Sequence, residues 1–398
     1  METRRFLRDP CRVRVQPSGL STTKALPRNV LIFRSTLLPY TEPYIPGQAE
    51  KFQRFTPYYA GFAHETGAEF PLQRTIPCSH SKFVGKLRNL AAILGFSDRF
   101  FRNSVLQVQP ELIHAHFEDS AIKVLPLAQA LNLPLFLTCH GSDHTEGHRW
   151  QNVAYLGNYY RRRRTAFLKE LTLCLGASRF ICDRMLGLGY PPEKVRLHYI
   201  GVDTERLQPD PAVQKKPEVL FVGRLVKSKG CADLIRAMVR VRTKFPEVKL
   251  VIIGEGQSQA DLHQLAAEER IDVEFLGRQT PDNIRRRMLE SMLLCLPSVV
   301  GSDGSAETLG LVTLEAQAVG LPVVGTWTGG IPEAVEHGVT GLLSEGRNPA
   351  ALAENIIAIL SDSDLRAQMG QAARKRMVRQ FNLQRQSELL EDYYLEFV

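Results

Sequence analysis

Two glutamates that are near each other in the sequence are the residues that most clearly indicate a binding or catalytic site. The stretch SAETLGLVTLEAQAVGLPVVGTWTGG, residues 305–330, holds Glu307 in a predicted loop and Glu315 inside a predicted helix that begins near Gly310. The first N–H groups of a helix and the positive end of its dipole attract anions, and glycine lets a phosphate come close. At about 1.5 Å per helical residue, the carboxylates lie up to roughly 12 Å apart. We therefore predict a phosphate site flanked by two carboxylates, which suits two sugars joined through a diphosphate.

Two cations lie in a second predicted strand-to-helix loop. In FVGRLVKSKG, residues 221–230, Arg224 and Lys229 stand five positions apart. An arginine binds an anion as a fork and a lysine as a point charge, so the two can converge on one group. Solvated loop charges are the alternative if the motif is taken alone.

Two further patterns resemble known ligand motifs only weakly. VIIGEGQ, residues 251–257, contains Gly254 and Gly256 but lacks the third glycine of a dinucleotide fingerprint, so we predict a tight turn. Asp362 and Asp364 have the spacing of a metal-binding DxD pair, but they begin an amphipathic helix, where aspartate is a good N-cap. We predict neither a metal nor another cofactor.

Three histidines follow or lie on predicted strands of the first half. His140, in CHGSD, comes directly after a strand and should face a cleft, and a structural histidine held by hydrogen bonds is the alternative. For His114 and His116, in LIHAHF, we predict that one is a core residue and that the other lines the cleft. Their spacing is not a convincing metal-ligand pattern.

Short apolar runs separated by helix-length segments indicate the elements that position these residues. Apolar runs that end in Gly or Ser and precede amphipathic stretches are typical of parallel strands between crossover helices. The runs are residues 30–33, 112–117, 135–139, 173–178, 219–223, 249–254, 273–277, 293–298 and 322–325. The fold class is therefore α/β, with two doubly wound, Rossmann-like domains.

A proline-rich polar stretch marks the join between the two domains. Residues 203–217, DTERLQPDPAVQKKP, hold three prolines that neither a helix nor a central strand would accept. We predict a flexible basic extension at 1–27, a first domain at 28–205, a second at 206–382 and a helix at 383–398.

Composition limits the class of protein. The 398 residues are 44% hydrophobic and 23% charged, ordinary values for a globular protein, and no stretch has the ~18 apolar residues of a membrane span. Residues 1–27 lack the apolar core of a signal peptide, so we expect a cytoplasmic protein. Seven cysteines without a CxxC pair are expected to be reduced. The net charge of +8 suggests an anionic partner: nucleic acid, an acidic membrane surface or a phosphorylated substrate.

A run of four arginines, Arg161–Arg164, lies on a predicted helix with Tyr159, Tyr160 and Phe167. Four consecutive residues spread around a helix and cannot form one stripe. A solvated basic helix is one interpretation. The other is contact with the anionic headgroups of a membrane, as would suit a lipid-linked acceptor.

Several motifs in the second half resemble a known family. GRLVKSKG, IIGEGQ, FLGRQT, the stretch 296–343 and the earlier LHYIGVDTERLQP occur in the order seen in retaining glycosyltransferases of family GT4, which are two-domain GT-B enzymes. The similarity is specific over roughly residues 195–380 and fainter in the first half. The loop SVVGSDGSAE is most similar to the enzymes that build bacterial exopolysaccharides, including the colanic-acid type. Two departures are Thr308, where a glycine or serine is common, and a first loop without a glycine pair.

This resemblance implies a nucleotide-diphosphate sugar donor on the second domain and a glycan or lipid-linked acceptor on the first, facing across a cleft. It also implies a final helix that crosses back onto the first domain and a contact between His140 and the donor sugar. The predicted catalytic residues are Glu307, His140, Arg224 and Lys229, and the predicted donor-binding residues are Gly223, Arg224, Lys229, Glu307, Thr308, Leu309, Gly310, Leu311, Val312 and Glu315.

The expected reaction is a transfer with retention of the anomeric configuration. No carboxylate is obviously placed for attack from the face opposite Glu307, so the leaving phosphate is the expected base for the incoming hydroxyl. A GT-B epimerase or phosphorylase is the alternative enzyme, although the first would lack the two glutamates and the second needs a cofactor lysine site. A nucleic-acid-binding protein would explain the charge, but no recognition motif is present, so we expect no nucleic acid partner.

Overall fold

The computed structural model describes residues 28–37, 42–64, 72–76, 99–141 and 154–398, and contains two parallel sheets of six strands each. The first sheet has the order β3-β1-β5-β6-β7-β8 and the second β11-β10-β9-β12-β13-β14, while β2 pairs with β4. The strands are β1 (Arg28–Phe33), β2 (Thr36–Leu37), β3 (Phe55–Ala60), β4 (Ala63–His64), β5 (Leu112–His116), β6 (Leu135–Cys139), β7 (Leu173–Gly176), β8 (Val195–Leu197), β9 (Glu218–Val222), β10 (Lys249–Ile253), β11 (Val273–Phe275), β12 (Leu293–Leu296), β13 (Val323–Thr326) and β14 (Gly341–Ser344).

Helices connect the strands of each sheet. They are α1 (Tyr44–Ala49), α2 (Arg99–Val108), α3 (Glu118–Leu131), α4 (Ala154–Glu170), α5 (Arg179–Gly187), α6 (Cys231–Lys244), α7 (Gln259–Glu268), α8 (Pro281–Glu290), α9 (Leu311–Ala318), α10 (Ile331–Ala334), α11 (Pro349–Ser361), α12 (Ser363–Gln380) and α13 (Leu383–Leu395).

Both faces of the first sheet are buried. Along β1, Leu31 and Phe33 belong to one apolar core, whereas Val30 and Ile32 belong to another. Successive side chains of a strand point to opposite faces, so the two cores lie on the two sides of the sheet. This explains why the strand sequences are apolar without alternation and confirms the predicted α/β class of two doubly wound domains.

Strand order reverses once in each sheet, and the reversal points show where a binding crevice can form. In the first sheet β1 lies between β3 and β5, and in the second β9 lies between β10 and β12. Connections leave in opposite directions on the two sides of such a point, which opens a crevice at the carboxyl ends of the strands. The loops after β1, β5, β9 and β12 are therefore the ones that border a binding crevice.

Helix α13 packs on the first sheet, far from its neighbours in sequence. Tyr394, fully buried, contacts the rings of Phe55 and Phe136, with centroids 5.3 and 5.2 Å away. Beside it, the Val202 N–H donates to the Phe381 carbonyl over 2.8 Å, and the Leu383 N–H donates to the Val202 carbonyl over 2.9 Å. The two chain segments that pass between the sheets thus lie side by side.

The last strand of the first sheet ends at Leu197 and the first strand of the second sheet begins at Glu218, and the domain division at 205/206 stays a prediction. We keep 28–205 and 206–382 as proposed domains. The predicted extension at 1–27 lies outside the described residues. Over the ranges given above, no helix is long and apolar enough to span a membrane. Cys139, Cys174, Cys182, Cys231 and Cys295 are free thiols, and Cys11 and Cys78 lie outside the described part.

Candidate active site

The centre of the candidate site is an ion pair between two loops. The Lys229 Nζ lies 2.5 Å from Glu307 Oε2, and the Ser298 hydroxyl donates to the same oxygen over 3.0 Å. Lys229 follows β9, while Ser298 and Glu307 follow β12, so the pair lies beside the reversal point of the second sheet. Both predicted residues are therefore in one place, but they bind each other, which the sequence did not indicate.

The charge on Glu307 is stabilised by its neighbours. Burial alone raises the pKa of this carboxyl, but the charge and hydrogen bond of Lys229, the Ser298 hydroxyl and the Arg224 charge outweigh burial and lower it overall. The carboxyl is consequently an anion at neutral pH. Arg224 itself is exposed, so its guanidinium is accessible to a ligand in the crevice.

The start of α9 is built as predicted, one residue later. Gly310 is the N-cap, with φ of 72°, and the helix begins at Leu311. A positive φ favours glycine, and the absent side chain keeps the first N–H groups approachable. Leu309 is buried and its side chain belongs to the core, whereas Leu311 and Val312 are partly buried. The backbone, and not these side chains, faces any anion at the helix start.

The loop after β13 supports Glu307 from behind. The Gly330 N–H donates to the Glu307 carbonyl over 2.8 Å. A Cβ at Gly329 would lie 2.0 Å from that same carbonyl oxygen, so no larger residue fits there. The GG of TWTGG therefore fixes the backbone of the glutamate.

Glu315 lies inside α9 and is partly buried. Desolvation raises its pKa to about 7, and the nearby Arg206 charge opposes this only weakly. A carboxyl that is half ionised near neutrality can still accept hydrogen bonds from ligand hydroxyls when it is charged. Its position one turn into the helix agrees with the prediction that Glu315 lies inside the helix and Glu307 in the loop before it.

His140 reaches the second domain through its backbone. The Thr308 hydroxyl donates to the His140 carbonyl over 2.9 Å. The next residue, Gly141, has φ of 88°, and a Cβ there would lie 2.1 Å from the Thr308 Oγ1. The threonine that departs from the family pattern thus joins the two halves of the chain beside Glu307.

A second contact between the halves involves Glu333, which sequence reasoning missed. Its carboxylate accepts hydrogen bonds from the N–H groups of Arg179 and Phe180, over 2.8 and 2.9 Å, and from the Tyr199 hydroxyl over 3.0 Å. Arg179 and Phe180 begin α5, so a carboxylate of the second domain caps a helix of the first. Nothing in the local sequence IPEAV indicates that this glutamate binds residues so distant in sequence.

Two predictions on polar residues of the first half need correction. His114 and His116 are both buried, with 0% and 4% of their surface exposed, because residues two apart on a strand share a face. Neither lines an open cleft. Arg164 is not a solvated member of a basic helix, since its Nε donates to Glu118 over 2.9 Å and its Nη1 to the Leu188 carbonyl over 3.0 Å.

The weaker motifs have local roles. Asp362 is the N-cap of α12 and accepts hydrogen bonds from the N–H groups of Asp364 and Leu365, as predicted for a cap. Gly254, with φ of 141°, lets the turn after β10 pack against the Gly223 carbonyl, where a Cβ would lie 1.9 Å away. Gly223 is thereby a structural neighbour of the crevice loop, and its donor contact stays a prediction.

Comparison with known proteins agrees with this geometry. The family model described as "Glycosyl transferases group 1" matches residues 203–376, and "Glycosyltransferase Family 4" matches residues 55–206. The chain is 32% identical to a GDP-mannose-dependent alpha-(1-6)-phosphatidylinositol monomannoside mannosyltransferase of Mycobacterium tuberculosis, over 48% of this chain and 54% of that one. It is 30% identical to WcaL of Escherichia coli strain K12, a glycosyltransferase named for colanic acid biosynthesis, over 57% of each chain.

Among solved structures, Anabaena HepE in complex with UDP superimposes with a TM-score of 0.74 at 20% identity, over 93% of this chain and 100% of that one. This likeness confirms the GT-B fold. The chain spans about half the length of the curated relatives that it matches. Neither an epimerase nor a phosphorylase is favoured by these matches, and the two family models overlap at residues 203–206. The chain belongs to the group 1 and family 4 glycosyltransferases, with relatives in bacterial polysaccharide biosynthesis.

Proposed function

We propose that the protein is a retaining glycosyltransferase that moves a sugar from a nucleotide-diphosphate donor to a glycan or lipid-linked acceptor in the synthesis of a cell-surface polysaccharide. The donor binds the second domain and the acceptor the first. The observation that carries this proposal is the Glu307–Lys229 pair at the head of α9, with exposed Arg224 beside it and His140 across the domain contact.

The cations and the helix start have a definite task in such a reaction. Breaking a sugar–phosphate bond builds positive charge on the sugar and negative charge on the leaving diphosphate. Donors that are already oriented toward the growing charge lower the barrier, each by about 3 kcal/mol in favourable cases. Arg224, Lys229 and the N–H groups of Gly310, Leu311 and Val312 are the groups that we expect to face this charge.

The ion pair adds a step that precedes the chemistry. In the structure the Lys229 ammonium neutralises Glu307. A bound diphosphate would attract the same ammonium, which leaves the carboxylate more able to accept hydrogen bonds from the donor sugar. We therefore infer that donor binding redistributes one positive charge from Glu307 to the diphosphate.

We infer retention because we expect no carboxylate on the face opposite the leaving diphosphate. In this proposal the leaving phosphate itself takes the proton of the acceptor hydroxyl. The new bond then forms on the face that the phosphate leaves. Because two cations and a helix terminus serve the diphosphate, transfer should continue without a metal.

The experiment is a panel of UDP, GDP and ADP, each with its sugars, read first as a shift in melting temperature. UDP is named for the Anabaena neighbour and GDP-mannose for the mycobacterial relative, so both belong in the panel. Stabilisation by one nucleotide sugar, but not by oligonucleotides, supports the proposal. The product's anomeric configuration, determined by NMR, and activity in excess EDTA complete the test. An inverted product, or activity that needs Mg²⁺ or Mn²⁺, contradicts the mechanism.

We also propose peripheral contact with an anionic membrane surface on the cytoplasmic side, made through α4. Arg162 is exposed there, whereas Arg164 is bound to Glu118 and cannot contribute. Binding of the full chain to vesicles with and without anionic lipid, compared with the Arg162→Glu variant, tests this part separately. Equal binding to both vesicles contradicts it.

A further inference from the structure

Three histidine rings form a row from the domain contact into the first domain. His140 Nε2 and His116 Nδ1 lie 2.9 Å apart, and the planes of these two rings differ by only 16°. His116 in turn stacks on His114, with ring centroids 4.6 Å apart. The row begins at the residue that we place against the donor sugar and ends in the core.

The inner end of the row is tied to α13. His114 Nδ1 lies 2.5 Å from the Tyr394 hydroxyl, and His114 Nε2 lies 2.8 Å from the Thr138 hydroxyl. Both ring nitrogens of this histidine are thus occupied. The helix that crosses back from the second domain therefore holds one end of the row by a side-chain hydrogen bond.

All three rings are neutral. Burial lowers the pKa of His114 and His116 well below the ordinary value, and it lowers the pKa of His140 to about 3. A neutral imidazole has one nitrogen that donates and one that accepts, so the hydrogen bond between His116 and His140 couples the two tautomers. Whichever nitrogen carries the proton in His116 decides which one carries it in His140.

Aromatic neighbours restrict His140 in angle as well. The ring of Phe117 lies 4.9 Å from it and that of Tyr44 lies 5.0 Å from it, measured between centroids. Phe117 has a φ of 70°, a conformation that costs free energy for a non-glycine residue and that is kept where surrounding contacts demand it. Packing and hydrogen bonding together thus define one orientation of the ring.

We propose that His116 is a positioning residue that fixes the tautomer and the ring angle of His140, and that His114 and Tyr394 extend this support to α13. This inference rests on the proposed function, in which His140 meets the donor sugar. A hydrogen bond from a neutral ring to a sugar hydroxyl needs the correct nitrogen to carry the proton, so loss of that tautomer slows the reaction without weakening nucleotide binding.

The test uses three substitutions that separate hydrogen bonding from shape. In His116→Asn the amide places a polar atom near the former Nδ1, in His116→Gln near the former Nε2, and His116→Leu fills space without a hydrogen bond. We expect kcat of the Asn variant within about fivefold of the wild type, and kcat of the Gln and Leu variants lowered about 10- to 100-fold. The KM for the donor should change less than about twofold in all three. Equal values of kcat for the three variants would overturn the inference.

A second measurement does not depend on turnover. The ¹⁵N shifts of the His140 ring, assigned by comparison with His140→Phe, should report one neutral tautomer in the wild type and in His116→Asn, and an averaged pair in His116→Gln and His116→Leu. An averaged pair in the wild type would overturn the inference even in an active enzyme. Absence of turnover with every nucleotide sugar would instead count against the proposed function.

The link to α13 has a matched control in the next residue. Tyr393 donates its hydroxyl hydrogen bond to the Leu197 carbonyl over 3.3 Å and does not touch the row. We expect Tyr394→Phe to lower kcat about 3- to 10-fold and Tyr393→Phe to change it less than twofold, since only the first removes a partner of His114. The same kcat in both variants would overturn the extension to α13.

Discussion

At the scale of single residues, the pairing of Glu307 with Lys229 means that neither charge can be changed alone. Removing the ammonium leaves a carboxylate with 12% of its surface exposed and one hydroxyl donor, Ser298. Leaving such a group uncompensated is costly and raises its pKa. The effect of substituting either cation must therefore be interpreted together with the change in the protonation of Glu307.

The first prediction concerns the two cations. The double variant Arg224→Ala, Lys229→Ala should lower kcat by more than about 1000-fold, since each donor is worth about 3 kcal/mol in the transition state. Binding of the bare nucleoside, which has no diphosphate, should change less than about twofold. Steady-state kinetics and calorimetry measure the two effects.

Lys227→Ala is the matched control, because Lys227 is an exposed lysine in the same loop. It should leave kcat unchanged. A double variant that turns over at the wild-type rate would show that these cations do not serve the leaving group.

The second prediction uses the raised pKa of Glu315. Its pKa of about 7 in the free protein leaves the carboxyl mostly protonated at pH 6 and mostly charged at pH 8. If the charged form accepts hydrogen bonds from the ribose, the affinity for the nucleotide should rise about tenfold over this range. Calorimetric titrations at several pH values measure it.

Glu315→Gln is the control. Its pH dependence reports the titration of the nucleotide's own phosphate, which falls in the same pH range, without that of Glu315. The difference between the two curves should vanish if Glu315 does not bind the ribose.

The same titration should change the stability of the protein in the opposite direction to nucleotide affinity. Glu315 has a higher pKa in the folded state than in the unfolded state, so its contribution to the free energy of unfolding is fully present below about pH 4.5. This contribution is lost as the pH rises through 7. Over that range the wild type should therefore lose stability relative to the Glu315→Gln variant.

Much of the site could be predicted at this scale, because its residues follow apolar strands that are recognisable one by one. The sequence places Lys229 after one strand and Glu307 after another. It does not show that β9 and β12 are neighbours, and therefore that these side chains meet. That adjacency comes from a crossover between distant strands, which leaves no local pattern.

At the scale of elements, the strands of the two six-stranded sheets that the sequence did not reveal lie at sheet edges, and the short paired strands β2 and β4 were not revealed either. β3, β8 and β14 are edge strands, and β3 contains Pro57, which cannot donate to a ladder. An edge strand has only one neighbouring strand and needs fewer apolar side chains, so its sequence shows a weaker hydrophobic pattern. The central strands, buried on both faces, were all predicted within about two residues of their bounds.

The third prediction concerns the carboxylate that caps α5 from the other domain. Glu333→Ala removes the acceptor of two backbone N–H groups and the Tyr199 hydroxyl. If this contact holds the two domains together, the loss of about 1.4 kcal/mol would make domain separation about tenfold more frequent. We expect a larger radius of gyration in small-angle scattering of the ligand-free protein.

Glu336→Gln gives the comparison, since Glu336 is a mostly exposed carboxylate three residues away that faces Arg376 of its own domain over 3.8 Å. It should keep the wild-type radius. Identical scattering from Glu333→Ala and the wild type would show that the cap does not hold the domains together.

At the scale of the whole molecule, α13 contributes a buried carboxyl group to the first domain. Glu391 is fully buried, and its Oε1 accepts hydrogen bonds from the N–H groups of Gln53, Arg54 and Phe55 over 3.0, 2.7 and 2.9 Å. These three donors precede or begin β3, so the helix completes the edge of the first sheet.

The fourth prediction follows from these bonds. Glu391→Ala should lower the free energy of unfolding of the first domain by about 3 kcal/mol, because three backbone N–H groups lose their acceptor. Hydrogen exchange at β3, compared with β10, measures the loss in each domain separately. Glu388→Ala, one turn earlier and exposed, should leave exchange unchanged. Equal protection of β3 in the two variants would contradict the prediction.

The return of α13 to the first sheet also sets the order in which the protein can be completed on the ribosome. Tyr394 and Leu390 belong to the same apolar core as Val30, Phe136 and Leu175, yet they are made after the whole second sheet. At 5–20 residues per second, roughly 10 to 40 seconds pass between the synthesis of β8 and that of α13. During this time one apolar face of the first-made sheet lacks the side chains that α13 contributes, so the domain that begins folding first is finished last.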